Sequence, residues 1–113
     1  MEIINDIKNN LDFFFDSLNL DNITKIKNVI NNHQQNNIYI TGIGKCETLA
    51  IHFSNLLKSI SYQAFYISPQ NSTHGDIGCI KDNDLLIIIS KSGNTIELIH
   101  FLKIEKIKHL NSI

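Results

Sequence analysis

A chain of 113 residues holds one domain at most. With 42% hydrophobic residues, 19% charged residues and a net charge of −1, it excludes a disordered segment and a strongly basic nucleic-acid binder, and it offers no basic patch for a membrane surface. No apolar run approaches the ~18–20 residues of a membrane helix. Met1–Asp6 brings early acids rather than a basic, apolar leader, and Cys46 and Cys79 form no CxxC pair, so two free thiols in a cytoplasmic, reducing setting are expected.

The first element is read from Ile3, Ile4, Ile7, Leu11, Phe14, Phe15 and Leu18. Steps of three, four and seven place them on one helical stripe, expected to be core or an oligomer interface. A second helix, with Ile23, Ile26, Val29 and Ile30 at helical spacing, opens at Asp21 or Asn22 as cap and ends in the polar stretch 31–37. The period then changes. Ile38–Thr41 reads as a strand running into the Gly42-Ile43-Gly44 turn, and Cys46, Leu49, Ala50, Phe53, Leu56, Leu57 and Ile60 return to helical spacing. Ala64–Ile67 is a second strand, residues 68–78 a polar loop, and Asp84–Ser90 a third strand. Its unbroken apolar run suits a parallel sheet covered on both faces. A last helix follows, with Ile96, Ile99, Leu102, Ile104 and Ile107 inward. Alternating strands and helices imply an α/β, doubly wound parallel sheet of about three strands, incomplete for that architecture. The expected division is an N-terminal helical segment over 1–36 and a partial α/β domain over 37–113. A third strand ending the sheet would present a bare apolar edge, expected to be covered by another chain or by the N-terminal helices.

Two strand-to-helix turns are rich in small and hydroxyl residues, 41–46 and 90–95. Ligands of open α/β sheets sit at the carboxyl ends of the strands. Helix-opening amides, close backbone approach at glycine and Ser/Thr hydroxyls together make a phosphate cradle. All ten cationic residues are Lys, so an anion is held without the guanidinium fork. The Gly-x-Gly pair lacks the third glycine of the dinucleotide fingerprint and the spacing of a nucleotide P-loop. Taken alone, both turns can equally be tight turns with Ser caps.

Three motifs in order go further: Gly42-Ile43-Gly44-Lys45, then Ser72-Thr73-His74-Gly75-Asp76-Ile77-Gly78, then Ser90-Lys91-Ser92-Gly93-Asn94-Thr95-Ile96-Glu97. Over about residues 20–103 the chain resembles the sugar isomerase (SIS) domain, and within it the arabinose 5-phosphate isomerase (KpsF/GutQ-like) group. The resemblance implies aldose–ketose exchange between ribulose 5-phosphate and arabinose 5-phosphate through an enediol, with no redox cofactor; read from the residues, His74 has no partner at metal-ligand spacing, so no metal is expected. It implies Lys45, His74 and Glu97 as catalytic residues. Gly42, Gly44, Cys46, Ser90, Lys91, Ser92, Gly93 and Thr95 would form the substrate site, with a sugar phosphate and a second copy of the chain as partners.

The departures from the family pattern bear on that reading. Cys46 stands in place of a serine hydroxyl, Glu47-Thr48 in place of Gly-His, and Lys91 in place of a common Asn. Family members continue through two more strands with a further glutamate and a second histidine, so a truncated relative that binds phosphosugars without turnover is the alternative expectation. His52, His100 and His109 are expected to be solvated or packed, and the two cysteines to be small fillers rather than nucleophiles.

Overall fold

A computed structural model describes residues 1–72, 75–104, 107 and 110–113. Among the described residues eight elements follow in order: α1 (Glu2–Asp16), α2 (Leu20–Asn31), β1 (Asn37–Thr41), α3 (Lys45–Ser59), β2 (Gln63–Tyr66), β3 (Leu85–Ile88), α4 (Ile96–Leu102) and β4 (Asn111–Ser112). A short 3-10 turn at Asp76–Cys79 lies between β2 and β3. The strands form one parallel sheet in the order β2-β1-β3-β4.

Side-chain alternation along β1 divides the core in two. Ile38 and Ile40 point to one face and pack with Ile30 of α2, Ala50 and Leu57 of α3, Ala64, Leu85 and Ile87. Tyr39 points to the other face, with Ile67, Ile80, Leu86, Phe101 and Ile107. The β1–β2 connection therefore runs over the first face as α3. The β2–β3 connection and α4 cover the second face, as a doubly wound sheet requires. The Tyr39 hydroxyl ties the second layer down, donating to the Cys79 carbonyl at 3.2 Å.

Four sequence expectations change. The α2 cap is Asn19 rather than Asp21 or Asn22: its Oδ1 accepts from the Asn22 amide at 3.1 Å. α4 turns Leu98 and Phe101 inward, 4% and 1% exposed, while Ile96 is 66% exposed. The outer edge of β3 is covered by residues 111–113 of the chain itself rather than by another chain or by the N-terminal helices. The Ile88 amide donates to the Ile113 carbonyl at 2.9 Å, and the Ile113 amide donates to the Leu86 carbonyl at 3.1 Å. Finally, α1 contributes nothing to the core of the chain, because none of its residues is buried.

Candidate functional site

β1 and β3 lie side by side in parallel, with Thr41 opposite Ile88. The Ile89 amide donates to the Thr41 carbonyl at 2.9 Å, so the pairing continues to the point where both strands end. Their continuations then part: the turn after β1 leads to α3 on one face, and the turn after β3 leads to α4 on the other. Such a divergence between neighbouring strands is a topological switch point, where open α/β sheets form their ligand crevice. The buried Thr41 hydroxyl at its foot meets no hydrogen-bond partner among the described residues.

The first turn is shaped by two glycines with different constraints. A Cβ at Gly42 would sit 2.7 Å from the Cys46 carbonyl oxygen, because the start of α3 folds back over the turn. Gly44 has open space around it but adopts φ 65°, ψ −126°, a backbone region that side chains disfavour. Gly44 is also the N-cap of α3, and no side chain caps that helix. The Cys46 amide donates to the Ile43 carbonyl at 3.3 Å and the Glu47 amide to the Gly44 carbonyl at 3.2 Å, so backbone rather than a capping hydroxyl closes the first turn of α3, with the exposed Lys45 and the half-buried Cys46 beside it.

The second turn is organised by its own hydroxyls. The Gly93 amide donates to Ser90 Oγ at 3.0 Å, and the Asn94 amide donates to Ser92 Oγ at 3.2 Å. A hydroxyl that accepts from an amide keeps its proton to donate elsewhere. The outward donors of this turn are thus the Ser90 and Ser92 hydroxyls, while the Gly93 and Asn94 amides are engaged within it. Thr95 is the N-cap of α4, yet its side chain makes no cap hydrogen bond. Lys91 and Ser92 are exposed, and Ser90 and Thr95 half-buried. Glu97 follows in the first turn of α4, exposed. His74 lies outside the described residues, between Ser72, whose hydroxyl donates to the Pro69 carbonyl at 2.9 Å, and the 3-10 turn. His109 lies outside them as well.

Tyr66, which the motif reading does not single out, reaches into this site. At the end of β2 its hydroxyl donates to the Gly42 carbonyl at 3.3 Å. Burial, and then the nearby negative charge of Glu47, hold its phenol above the usual tyrosine range. The pattern of short strands gives no sign of this bond, which depends on the register of β2 against β1.

Among the described residues, two cavities adjoin the core layer of Tyr39 and Phe101. One, of about 380 Å³, runs along β2 under the 3-10 turn and is lined by Tyr39, Phe65, Tyr66, Asp76 and Cys79. The other, of about 320 Å³, lies between α4 and the loop after β2. Neither is lined by residues of both turns. Both cysteines are free, and neither is a buried filler: Cys46 is half-buried and Cys79 exposed. No helix among the described residues is long and apolar enough to cross a membrane.

Comparison with known proteins gives this geometry a context. The family model described as SIS domain matches residues 33–113. Arabinose 5-phosphate isomerase KdsD of Francisella tularensis subsp. tularensis is 33% identical over 113 residues, which is 98% of this chain and 32% of that protein. Arabinose 5-phosphate isomerase GutQ of Escherichia coli K12 is 32% identical over 78 residues, 69% of this chain and 24% of its own length. A solved structure of an E. coli CFT073 protein in complex with arabinose 5-phosphate matches with a TM-score of 0.73 at 26% identity, over 85% of this chain and 52% of that one. The chain spans about a third of the length of KdsD.

Proposed function

The chain belongs to the SIS-domain family, and from that premise we propose that it binds a sugar phosphate at the β1–β3 switch point and interconverts ribulose 5-phosphate and arabinose 5-phosphate. The observation that carries this reading is the pair of turns leaving adjacent strand ends for opposite faces, one built on glycines and the other on hydroxyls. Ser90, Ser92 and Thr95 donate to the phosphoryl oxygens, and Lys91 supplies charge beside them. Gly42 and Gly44 let the backbone of the opposite wall approach, with Cys46 behind them.

The chemistry asked of the remaining residues is one proton moved between C1 and C2. A base removes the proton from one carbon, the electron pair forms an enediolate, and the proton is returned to the neighbouring carbon while the hydroxyl and carbonyl exchange. Glu97 is the base in this scheme. The Lys45 ammonium stabilises the oxyanion of the intermediate. His74, matched by motif, assists the transfer between oxygens. Nothing is oxidised overall, so no redox cofactor takes part.

The same reading includes a division into a helical segment over 1–36 and a partial SIS domain over 37–113, a cytoplasmic setting, and a homo-oligomer held by the exposed stripe of α1. Turnover is tested by incubating the chain with ribulose 5-phosphate and following arabinose 5-phosphate by NMR. Its appearance supports the isomerase. Phosphosugar binding without product supports the alternative, a phosphosugar-binding module, which the open and exposed position of Glu97 favours.

A further inference from the structure

The proposed function assigns groups to the phosphoryl end of the ligand and to the reacting carbons, and leaves the rest of the carbon chain unheld. The cavity of about 320 Å³ beside α4 starts where the phosphate turn ends: Glu97, two residues past Thr95, lines it together with His100, Phe101, Ile104, Pro69 and Gln70. Its floor is apolar, with Phe101 and Pro69 buried and Ile104 half-buried. Its polar side chains, Glu97, His100 and Gln70, are all exposed. Glu97 and His100 are three residues apart and share one face of α4.

Gln70 belongs to a loop whose turn is closed by two hydrogen bonds of its own. The Ser72 hydroxyl donates to the Pro69 carbonyl at 2.9 Å, and the Asn71 amide donates to Ser68 Oγ at 3.3 Å. The cavity thus has one wall from the loop after β2 and one from the helix after β3, both elements that leave the carboxyl ends of the strands. A carboxylate accepts, a carboxamide both donates and accepts, and a neutral imidazole does the same through its two nitrogens. Hydroxyls spaced along a carbon chain need that mixture, and the C–H groups between them suit an apolar floor. Among the described residues no lysine lines the cavity, so they do not suit it to a second phosphate. Its volume is at the small end of ligand pockets, roughly 300–1,000 Å³, which fits a short polyol rather than a nucleotide.

Resting on the function proposed above, we infer that this cavity is the polyol subsite of the same ligand, in which His100 and Gln70 bind hydroxyls of the sugar phosphate's carbon chain. Helical spacing alone leaves His100 among the solvated helix histidines, because it does not show that the loop after β2 lies against α4.

The test uses the whole 113-residue chain, with His100→Ala, His100→Gln and Gln70→Ala variants titrated calorimetrically with arabinose 5-phosphate and, separately, with inorganic phosphate. Loss of one or two hydrogen bonds in each alanine variant weakens arabinose 5-phosphate by about five- to tenfold. Inorganic phosphate binds as to the wild type, and His100→Gln, which keeps a donor and an acceptor, recovers most of the sugar-phosphate affinity. Wild-type affinity for arabinose 5-phosphate in both alanine variants overturns the subsite and leaves the reading of the two turns standing. A wild-type chain that binds neither arabinose 5-phosphate nor phosphate overturns the reading of the turns, and the subsite with it.

Discussion

Gly42 shows what a single hydrogen atom decides in this chain. A methyl group there would meet the Cys46 carbonyl oxygen at 2.7 Å, and that oxygen belongs to the backbone at the start of α3 rather than to a side chain that could swing away. Gly42→Ala is therefore expected to shift the first turn and to destabilise the chain by about 1–3 kcal/mol, read as a lowered melting temperature. A variant that melts with the wild type would show that α3 does not fold back as described. The glycines of this turn are visible in the sequence as a turn signal, but the reason for each is not. Gly42 is required by a neighbour, Gly44 by its own dihedral angles. Tyr66 is not visible at all as a contributor, because its bond to Gly42 depends on pairing between strands and spans 24 positions of sequence.

At the scale of elements, alternation and period locate each helix and strand before Asn111, and they fail where a short element offers two faces. In α4 the apolar residues Ile96, Leu98, Ile99, Phe101 and Leu102 allow more than one inward stripe, and the structure buries Leu98 and Phe101. Phe101→Ala is expected to cost about 3–5 kcal/mol, whereas Ile96→Ala, at an exposed position, changes stability by less than about 0.5 kcal/mol. Chemical denaturation of both variants checks the pair, and the reverse order of effects would restore the sequence-based stripe. β4 is illegible in the sequence because two residues carry no periodicity. The strand is defined by what it covers, the outer edge of β3. At the opposite edge, no strand among the described residues covers β2. Lys58 lies over the Phe65 ring there, 5.1 Å from its centroid, and places a charge against pairing with another sheet.

The whole molecule is elongated, 51 by 29 by 23 Å. α1 carries Ile3, Ile4, Ile7, Leu11, Phe14 and Phe15 on one stripe, and every one of them is exposed. A patch of that kind is seldom left open to water in a folded protein. Its period is legible in the sequence. Its lack of a partner within the chain is not, since amphipathicity states that a face is buried without stating against what. If the stripe joins two copies, Phe14→Glu separates them, and light scattering coupled to size exclusion reports the monomer mass where the wild type gives a multiple of it. A monomeric wild type would show that the stripe does not join two copies.

The architecture draws the two turns from adjacent strand ends to opposite faces, and the proposed function has them meet on one phosphoryl group. The most direct test is a titration of the ¹⁵N-labelled chain with arabinose 5-phosphate, following backbone amides. Saturable shifts concentrated at Gly44 to Glu47 together with Ser90 to Thr95 are the predicted result. Shifts confined to one of those segments, or found along β2 beneath the 3-10 turn instead, would contradict it.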